Sequence, residues 1–417
     1  MDILFVSQYY PPEVNAPANR VSELARAWVR AGHRVTVLTA FPNHPQGSKR
    51  PADRRVLSRR EDDGGVEVLR AYIWATPNKG LVRRMFSYAS FMVSALLVGS
   101  LRCRRPGLVI ATSPQLLTAV AGWGLSLRFN TPFVFEVRDL WPESIVAVEA
   151  MRENRVVAGL KRLAALLYRR CDRIVTVGEG YKRKIVELYG IDPAKISVVE
   201  NGVDTALFVP RTRDPDFERA AGWQGKKVLL YAGTHGMAHG LAVVLGAAEL
   251  LKGEPSVLFA LVGDGAEKQG LVEAARGLDN VRFYEQQPRE ALLRFYAACD
   301  IGLVHLRDTP LFQEVLPSKI FEYFGMERPI LIGVGGEARA LVEAARGGIW
   351  FRPDDPQALA DGLRALLADP GLGAMGRRGR AWVLQHYDRT ALAERYAALL
   401  QAIVDRAGAA APAERAS

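Results

Sequence analysis

The feature that most constrains the fold of this chain is a regular alternation of short β-branched runs with longer amphipathic stretches. Helical patterns such as residues 21–31 and 156–170 separate the runs in the first half of the sequence. Such alternation predicts parallel strands joined by crossover helices. The runs that predict strands in this half are residues 3–6, 34–39, 66–72, 108–111, 133–137 and 173–177.

The pattern restarts after residues 201–204 and a segment with turn and linker chemistry, Pro210–Pro215. Further strands are predicted at residues 227–232, 257–262, 281–284, 301–305 and 329–334. We therefore predict an α/β chain of two Rossmann-like, doubly wound domains that face an inter-domain cleft. The predicted domains are residues 1–205 and 206–387.

Composition excludes several classes of protein. At 417 residues, with 49% hydrophobic and 24% charged residues, the chain can fill two cores and does not resemble a disordered protein. The three cysteines lack the spacing of a metal site, which favours a reducing compartment. Residues 1–7 lack the basic start of a signal peptide and read as a first strand, so a cytoplasmic location is expected.

The net charge of +10 is unevenly distributed. Residues 1–210 contain 30 Lys and Arg against 19 Asp and Glu, whereas the remainder contains 25 against 26. This asymmetry favours an anionic partner for the first domain: a membrane surface, a lipid-linked diphosphate or a nucleic acid. Nucleic acid is the least favoured of the three, because no aromatic residues interleave with the basic ones.

One uncharged segment, residues 86–101, departs from the pattern of a soluble domain. It is shorter than the roughly 20 residues of a membrane span, but its basic flanks suit an interfacial anchor. A buried helix packed on the first sheet is the alternative, and both hold if one face packs inward while the other touches lipid. The residues predicted to contact the membrane are Arg83, Arg84, Phe86, Phe91, Leu96, Leu97, Arg104 and Arg105.

Residues 312–324 set two carboxylates, Glu314 and Glu322, eight residues apart around a predicted helix start. Pro317 is tolerated in a first helical turn, where its missing N–H has no partner to lose. Glu314 is then predicted in the preceding loop, and Glu322 inside the helix. A helix start that carries Lys319 is a predicted anion site, and with two carboxylates it would suit a nucleotide sugar. The alternative is an amphipathic helix with two solvated glutamates.

Other polar segments follow predicted strands, at the edge where ligands bind in this architecture. After the first strand comes Pro11-Pro12-Glu13, then Asn15, and after the second Pro42-Asn43-His44-Pro45. Residues 138–144, Arg-Asp-Leu-Trp-Pro-Glu-Ser, follow another strand. In the second domain, residues 233–240 and the Gly-Asp-Gly of 263–265 could bring backbone close to a diphosphate. Ordinary turn chemistry is the alternative interpretation of these segments. For residues 138–144 the alternative is a structural aspartate beside a buried tryptophan.

In this order the segments resemble glycosyltransferase family 4. The spacing of Glu314 and Glu322 resembles the E-x7-E motif of its retaining GT-B members. Five further motifs resemble its bacterial surface-polysaccharide branch, which includes L-fucosamine-type transferases of O-antigen and capsule. They are Pro-Pro-Glu, Gly-His-x-Val-x-Val, Pro-Asn-x-Pro-x-Gly, Asp-Leu-Trp-Pro and the Pro-Ser-Lys segment. The resemblance implies a GT-B fold in which a C-terminal helix, about residues 388–405, crosses back to the first domain.

The resemblance also implies roles for residues. Glu314 would contact the donor sugar and Glu322 the ribose. The catalytic set implied is Glu314, Asp139 and Lys319. The acceptor-side set is Pro12, Glu13, Asn15, Asn43, Arg138, Asp139, Trp141 and Glu143. The donor-binding set is Gly233, Thr234, His235, Gly236, His239, Gly263, Asp264, Gly265, Pro317, Ser318, Lys319 and Glu322.

Thr234 and His239 stand where many family members have an Arg and a Lys that neutralise the leaving group. Lys319 would then supply the compensating charge, with His235 or His239 if they are protonated. The function implied is transfer of a sugar from a UDP-sugar, with an N-acetylated deoxyhexosamine as the expected sugar. The acceptor implied is a polyprenyl-diphosphate sugar at the inner face of the plasma membrane, in synthesis of O-antigen, capsule or exopolysaccharide.

No metal or other cofactor is expected, because no Asp-x-Asp motif stands in a suitable place. Two alternatives remain open: an isomerase like UDP-N-acetylglucosamine 2-epimerase, which shares the fold, and a non-catalytic scaffold that binds a sugar nucleotide.

Overall fold

The computed structural model describes residues 1–13, 15–43, 47–76, 81–147 and 154–410. The chain divides into two compact units: Met1–Glu200 with the chain from Thr390 onward, and Asn201–Arg389. Each unit is built on one sheet, as the alternation of strands and helices predicts.

The division falls after Glu200, a few residues before the predicted boundary at 205. The reason is a set of hydrogen bonds inside the second unit. The Val203 amide donates to the Tyr387 carbonyl over 2.9 Å, and Arg389 Nη2 donates to the Gly202 carbonyl over 2.8 Å.

The first sheet has eight strands in the order β3-β4-β2-β1-β5-β6-β7-β8, and every pairing is parallel except β3 with β4. The chain enters at β1 and extends to both sides, so the strand order reverses between β1 and β5. The strands are β1 Asp2–Val6, β2 Arg34–Ala40, β3 Ser58–Asp63, β4 Val66–Ala71, β5 Leu108–Thr112, β6 Phe133–Val137, β7 Arg173–Thr176 and β8 Ile196–Val198.

Strand β3 is absent from the sequence prediction because its residues, Ser-Arg-Arg-Glu-Asp-Asp, have neither β-branched character nor apolar alternation. It pairs antiparallel with β4 at the sheet edge, where charged side chains remain in water. Pairing with β4 therefore outweighs its weak strand propensity.

The helices of the first unit cover both faces of the sheet. Asn15 caps the first of them by accepting a hydrogen bond from the Ala18 amide over 2.9 Å. Asn154 caps α5 in the same way. The helices are α1 Ala16–Arg30, α2 Leu81–Arg102, α3 Leu116–Phe129, α4 Glu143–Ala147, α5 Arg155–Arg170 and α6 Glu179–Tyr189.

The second sheet has six parallel strands in the order β11-β10-β9-β12-β13-β14. Because the order reverses at β9, the carboxyl ends of β9 and β12 flank the crevice where doubly wound sheets bind ligands. The strands are β9 Lys227–Ala232, β10 Val257–Val262, β11 Val281–Tyr284, β12 Ile301–His305, β13 Ile330–Gly333 and β14 Gly348–Trp350.

Most helices of the second unit lie between successive strands, while the first of them precedes β9 and two follow β14. Asp214 and Asp355 cap the helices that follow them, and each of these helices has a proline in its first turn. They are α7 Pro215–Ala221, α8 Ala242–Leu250, α9 Lys268–Ala274, α10 Arg289–Ala298, α11 Lys319–Gly325, α12 Gly336–Ala344, α13 Pro356–Ala368 and α14 Leu372–His386.

The last helix, α15 Arg389–Ala410, returns to the first unit. The Trp28 indole N–H of α1 donates to the Ala393 carbonyl over 2.9 Å. The same indole meets the Tyr396 ring edge-on, with centroids 5.3 Å apart. This confirms the C-terminal helix expected for a GT-B chain. Residues 411–417, part of the tail predicted to fray, lie outside the described residues.

Candidate functional site

The loops that follow β9 and β10 pack against each other at the carboxyl edge of the second sheet. The His235 amide donates to the Asp264 carbonyl over 2.9 Å. Gly263 has φ +147°, and a Cβ atom there would lie 1.8 Å from the Gly233 carbonyl oxygen. Glycine is therefore required at 263, and the structure brings the two predicted glycine segments together.

Lys319 lies against this pair of loops. Its Nζ atom is 3.8 Å from the centroid of the Tyr231 ring. A Cβ atom at Gly233 would lie 2.9 Å from the same Nζ, so a side chain larger than hydrogen would displace the ammonium. Nζ is buried and has no hydrogen-bond partner among the residues that the structure describes. Among the described residues, the ammonium at this edge of the second sheet therefore contacts an aromatic ring but has no hydrogen-bond partner of its own.

Burial lowers the pKa of Lys319 to about 7, and Glu322 offsets this only in part. The ammonium therefore holds its proton much less firmly at neutral pH than an exposed lysine does. An anion next to Nζ would favour the charged form of Lys319. The protein would therefore take up a proton when the anion binds.

The two histidines of the glycine loop are not the cations that the sequence suggested. Burial, with the nearby charges of Lys268 and Lys319, lowers the pKa of His235 to about 4. Burial and Lys319 also hold the pKa of His239 well below its ordinary value. Both imidazoles are therefore neutral at pH 7, and the expectation that they supply charge is wrong. Of these three residues, Lys319 alone remains a candidate to neutralise the leaving group.

Glu322 lies inside α11 as predicted, and it is not a solvated surface residue. Its Oε2 atom accepts a hydrogen bond from the Tyr296 hydroxyl over 2.6 Å. Burial nevertheless raises the pKa of Glu322, because it outweighs the hydrogen bond and the nearby charge of Arg289. Glu314 ends a short 3-10 turn, Phe312–Glu314, before the helix and is half-buried.

The start of α11 differs from the prediction. The helix begins at Lys319, so Pro317 precedes it and is not in its first turn. Ser318 takes the N-cap position but makes no side-chain capping hydrogen bond. The first bonds are of the 3-10 type, from the Ile320 amide to the Pro317 carbonyl.

The remaining predicted donor residues surround these groups. Thr234 is exposed, and Gly236 precedes the 3-10 turn Met237–His239. The Asp264 carboxylate accepts a hydrogen bond from the Gly265 amide over 2.8 Å.

Tyr323 is a residue of this region that the sequence interpretation missed. Its hydroxyl accepts from the Ala232 amide over 3.2 Å and donates to the Leu230 carbonyl over 2.6 Å. It thus takes the place of strand-to-strand hydrogen bonds at the end of β9. Gly302 of β12 makes room, since a Cβ atom there would lie 2.4 Å from the Tyr323 ring. The sequence shows this tyrosine directly after Glu322. Its role could not be predicted, because the strands that it contacts are distant in sequence.

In the first unit, Glu13 and Asn43 come together as predicted. Glu13 Oε1 accepts a hydrogen bond from the Asn43 backbone amide over 2.9 Å, and both residues are buried. Pro12 is exposed beside them. Asn15 caps α1, so its side-chain oxygen is engaged in a structural bond. His44 and Pro45, from the same predicted motif, lie outside the described residues.

Arg138 and Asp139 follow β6 and are held by the loop after β5. Ser113 Oγ accepts from the Arg138 amide over 2.8 Å and from the Asp139 amide over 3.1 Å. Asp139 Oδ2 accepts from the Ser144 hydroxyl over 3.0 Å, yet burial raises the pKa of Asp139. Arg138 Nε and Nη1 are buried without a partner among the described residues.

Burial lowers the pKa of Arg138 to about 10, with the charge of Glu136 opposing the shift. Glu136 itself pairs with Arg20, whose Nη2 lies 3.1 Å from Oε2. Trp141 is buried beneath this loop, and Glu143 accepts a hydrogen bond from the Tyr189 hydroxyl. A buried aromatic in this position is a packing residue, so Trp141 does not present its ring for stacking.

Helix α2 combines the two alternatives weighed for residues 86–101. Phe91 is fully buried, so its assignment to the membrane is wrong, whereas Leu96 is half-buried and packs against Gly124 of α3. Phe86 and Leu97 are exposed, by 57% and 59%. The part from Arg83 to Arg102 is long and apolar enough to span a membrane by length and composition, and 28% of its most apolar stretch is buried. One face therefore packs inward, and the other remains uncovered.

Within the described ranges, no group of three His, Cys, Asp or Glu side chains could hold a metal ion.

Comparisons with known proteins agree with this architecture. The model of Glycosyltransferase Family 4 matches residues 18–207, and that of Glycosyl transferases group 1 matches residues 226–369. The probable glycosyltransferase WbjE of Pseudomonas aeruginosa is 27% identical over 76% of this chain and 79% of its own length. The putative colanic acid biosynthesis glycosyl transferase WcaI of Escherichia coli is 25% identical over 90% and 95%.

Solved structures share the fold at low identity. Sucrose-phosphate synthase from Thermosynechococcus elongatus superposes with a TM-score of 0.75 at 17% identity, covering 97% of this chain and 99% of that one. HepE from Anabaena, solved with UDP and glucose, superposes with a TM-score of 0.72 at 19% identity, covering 96% and 100%. With both family models matched in order along the two units, the chain belongs to glycosyltransferase family 4 and has the GT-B fold.

Proposed function

We propose that this protein is a retaining glycosyltransferase that uses a UDP-sugar as donor. The observation that carries the proposal is the buried, unpartnered ammonium of Lys319 against Gly233 at the switch point of the second sheet. A buried cation with no hydrogen-bond partner among the described residues suits a diphosphate, whose negative charge grows as the sugar leaves. The solved structures of HepE with UDP and with UDP-glucose support a uridine nucleotide.

The described residues suggest a division of roles. Lys319 and the backbone of the glycine loops would hold the diphosphate, and Glu314 would contact the donor sugar. Glu322 has one oxygen bound to Tyr296, and its other oxygen would accept from a ribose hydroxyl. Thr234, exposed beside the loop, could donate to a phosphate oxygen.

The transfer would proceed on one face of the sugar. The bond between the anomeric carbon and the diphosphate oxygen breaks, and the acceptor oxygen bonds to the same face of that carbon. The acceptor proton passes to a β-phosphate oxygen, so the products are the glycosylated acceptor and UDP. In the first unit, Asp139 would hydrogen-bond the acceptor hydroxyl, and Arg138 would attract an anionic acceptor. We propose that no metal takes part, since Lys319 supplies the positive charge.

We propose as acceptor a polyprenyl-diphosphate sugar, and as donor sugar an N-acetylated deoxyhexosamine. The assignment of WcaI to colanic acid biosynthesis supports a role in bacterial surface polysaccharide. The Arg138 guanidinium and the excess of positive charge in the first 210 residues support an anionic, lipid-linked acceptor.

We propose further that the first unit binds the inner face of the plasma membrane through α2. Phe86, Val93, Leu97 and Leu101 are exposed at positions that share one helical face. Arg83, Arg104 and Arg105 at the two ends are exposed too, and they would attract anionic headgroups. A large apolar face with a basic rim fits a bilayer better than it fits water.

Calorimetry with UDP, GDP, dTDP and ADP tests the donor site. We expect one diphosphate, UDP, to bind in the micromolar range typical of such sites, and Lys319→Met and Glu322→Gln each to weaken it at least tenfold. Lys252→Met, at an exposed lysine on the same unit, is the matched control and should bind normally. Binding of no diphosphate, or binding unchanged in both variants, would contradict the proposal.

Product analysis separates transfer from the alternatives. With UDP-sugar and a lipid-linked acceptor, we expect glycosylated lipid and UDP, with and without EDTA. Conversion of UDP-N-acetylglucosamine without acceptor would instead indicate an epimerase, and tight binding without any turnover would indicate a scaffold.

Flotation with vesicles that contain phosphatidylglycerol tests the membrane surface. The double variant Leu97→Glu/Leu101→Glu should reduce recovery at least fivefold, because it places two charges on the apolar face. Leu384→Glu, at an exposed leucine of the second unit, is the control and should float like the wild type. Equal recovery of all three proteins would exclude this face as the membrane contact.

A further inference from the structure

His305 lies at the carboxyl end of β12, against the end of the glycine loop that follows β9, and takes no part in the roles assigned above. The residue is 1% exposed, and its imidazole stacks on the Phe351 ring with centroids 5.8 Å apart. Two glycines make room for it. A Cβ atom at Gly333 would lie 2.6 Å from His305 Cδ2, and one at Gly240 would lie 3.3 Å from Cε1.

Both ring nitrogens of His305 are engaged by backbone groups of different loops. Nδ1 lies 2.7 Å from the His239 carbonyl oxygen, in the turn that ends the glycine loop. Nε2 accepts from the Asp354 amide over 3.1 Å, in the loop after β14. A carbonyl can only accept and an amide can only donate. The neutral imidazole with its proton on Nδ1 is therefore the form that satisfies both partners.

Further bonds tie the same loops together around His305. The Arg307 amide donates to the Ala238 carbonyl over 3.0 Å. Asp354 has φ +55°, and its Oδ2 atom accepts from the Asp308 amide over 2.8 Å. The imidazole is thus the buried link among three loops at one end of the sheet, and one of these loops carries the residues beside Lys319.

We propose that neutral His305 is a positioning residue that holds the loop from Gly233 to Gly240 in the shape that receives the diphosphate of the donor. This inference rests on the proposed function of the donor site. It assigns to His305 a role through His239 and not a contact with the substrate. The groups that face the imidazole are consistent with the neutral form, because burial and Lys319 lower the pKa of His305 while Asp354 and the His239 carbonyl oppose the shift.

Two amide substitutions separate the two hydrogen bonds. In His305→Asn, the side-chain N–H₂ can occupy the place of Nδ1 and still donate to the His239 carbonyl. In His305→Gln, the side-chain oxygen can occupy the place of Nε2 and accept from Asp354, but the bond to His239 is lost. Phe351→Leu is the matched control, because it loosens the packing of the same ring without removing either hydrogen bond.

The measurement is calorimetry of UDP and of uridine, with thermal unfolding of each protein. We expect His305→Gln to weaken UDP binding about tenfold and uridine binding less than threefold, since uridine lacks the diphosphate. His305→Asn should restore most of the UDP affinity. Phe351→Leu should lower the unfolding temperature while UDP affinity stays within about twofold of the wild type.

Equal UDP affinity in wild type and His305→Gln would overturn this role and leave the proposed function standing. A wild-type protein that binds no nucleoside diphosphate would overturn both. Histidine ¹⁵N NMR gives an independent readout: one imidazole should remain in the Nδ1–H form at pH 6 and disappear from the spectrum in His305→Gln. An Nε2–H or doubly protonated form at that residue would also overturn the proposal.

Discussion

Arg138 in the first unit and Lys319 in the second occupy comparable places and differ in how firmly they keep their charge. Each lies near the carboxyl edge of its sheet, and each has buried nitrogen atoms without a hydrogen-bond partner among the described residues. Burial lowers the pKa of Arg138 to about 10 and that of Lys319 to about 7. At neutral pH the guanidinium therefore keeps its charge, whereas the ammonium can lose its proton.

The difference has a physical cause in the side chains and in their neighbours. A guanidinium starts from a much higher pKa and is more weakly hydrated than an ammonium, so it tolerates burial better. Arg138 also lies near Glu136 and Asp139, which favour its charge. Lys319 lies near Glu322, whose carboxylate already accepts from Tyr296, and above the Tyr231 ring. We therefore expect the charge of Lys319 to depend on a bound anion, whereas Arg138 keeps its charge without one.

The strongest test of this contrast is Lys319→Met. We expect sugar transfer to fall at least about 100-fold, as when a charge-stabilising donor is removed from an active site. The free protein should be more stable by roughly 1–3 kcal/mol at pH 7, because a costly buried charge is replaced by an apolar chain. Initial rates and thermal unfolding measure the two effects. A lower unfolding temperature would show that the ammonium stabilises the free protein, contrary to this account.

A second test addresses the other cation. Arg138→Met should raise the KM for a diphosphate-linked acceptor about tenfold, the effect of losing one charged hydrogen bond. The UDP dissociation constant should not change, because Lys319 belongs to a separate unit. Steady-state kinetics with varied acceptor, and calorimetry with UDP, check the two expectations. Arg162→Met, at an exposed arginine of α5, is the control. An unchanged KM would remove Arg138 from the acceptor side.

The smallest expected effect is on pH dependence. A bound diphosphate favours protonated Lys319, so UDP affinity should fall as pH rises through the pKa of the free protein, about fivefold between pH 7 and 8. Calorimetry in buffers of different ionisation enthalpy should detect proton uptake on binding. Lys319→Arg should flatten the dependence, because arginine stays charged. A flat profile in the wild type would mean that Lys319 does not face the phosphate groups.

Much of this architecture could be predicted from local pattern. Strands such as β9 and β10 are continuous apolar runs, typical of parallel strands buried on both faces, and their bounds match the prediction. The edge strand β3 could not be predicted, because its charged residues pair with β4 only in the assembled sheet. Phe91 and Phe86 belong to the same uncharged segment, and their opposite exposures depend on which face of α2 meets α3.

The site divides in the same way. Local features include the glycine turns after strands and the lysine at a helix start beside two glutamates. The sequence alone determined the order of these features and their chemical class. Other properties depend on burial and on partners from distant strands. They are the charge of His235 and His239, the availability of Trp141 for stacking, and the loops that His305 joins. Only the tertiary structure decided these, because protonation and hydrogen bonding respond to the distances between groups and to the loss of water around them.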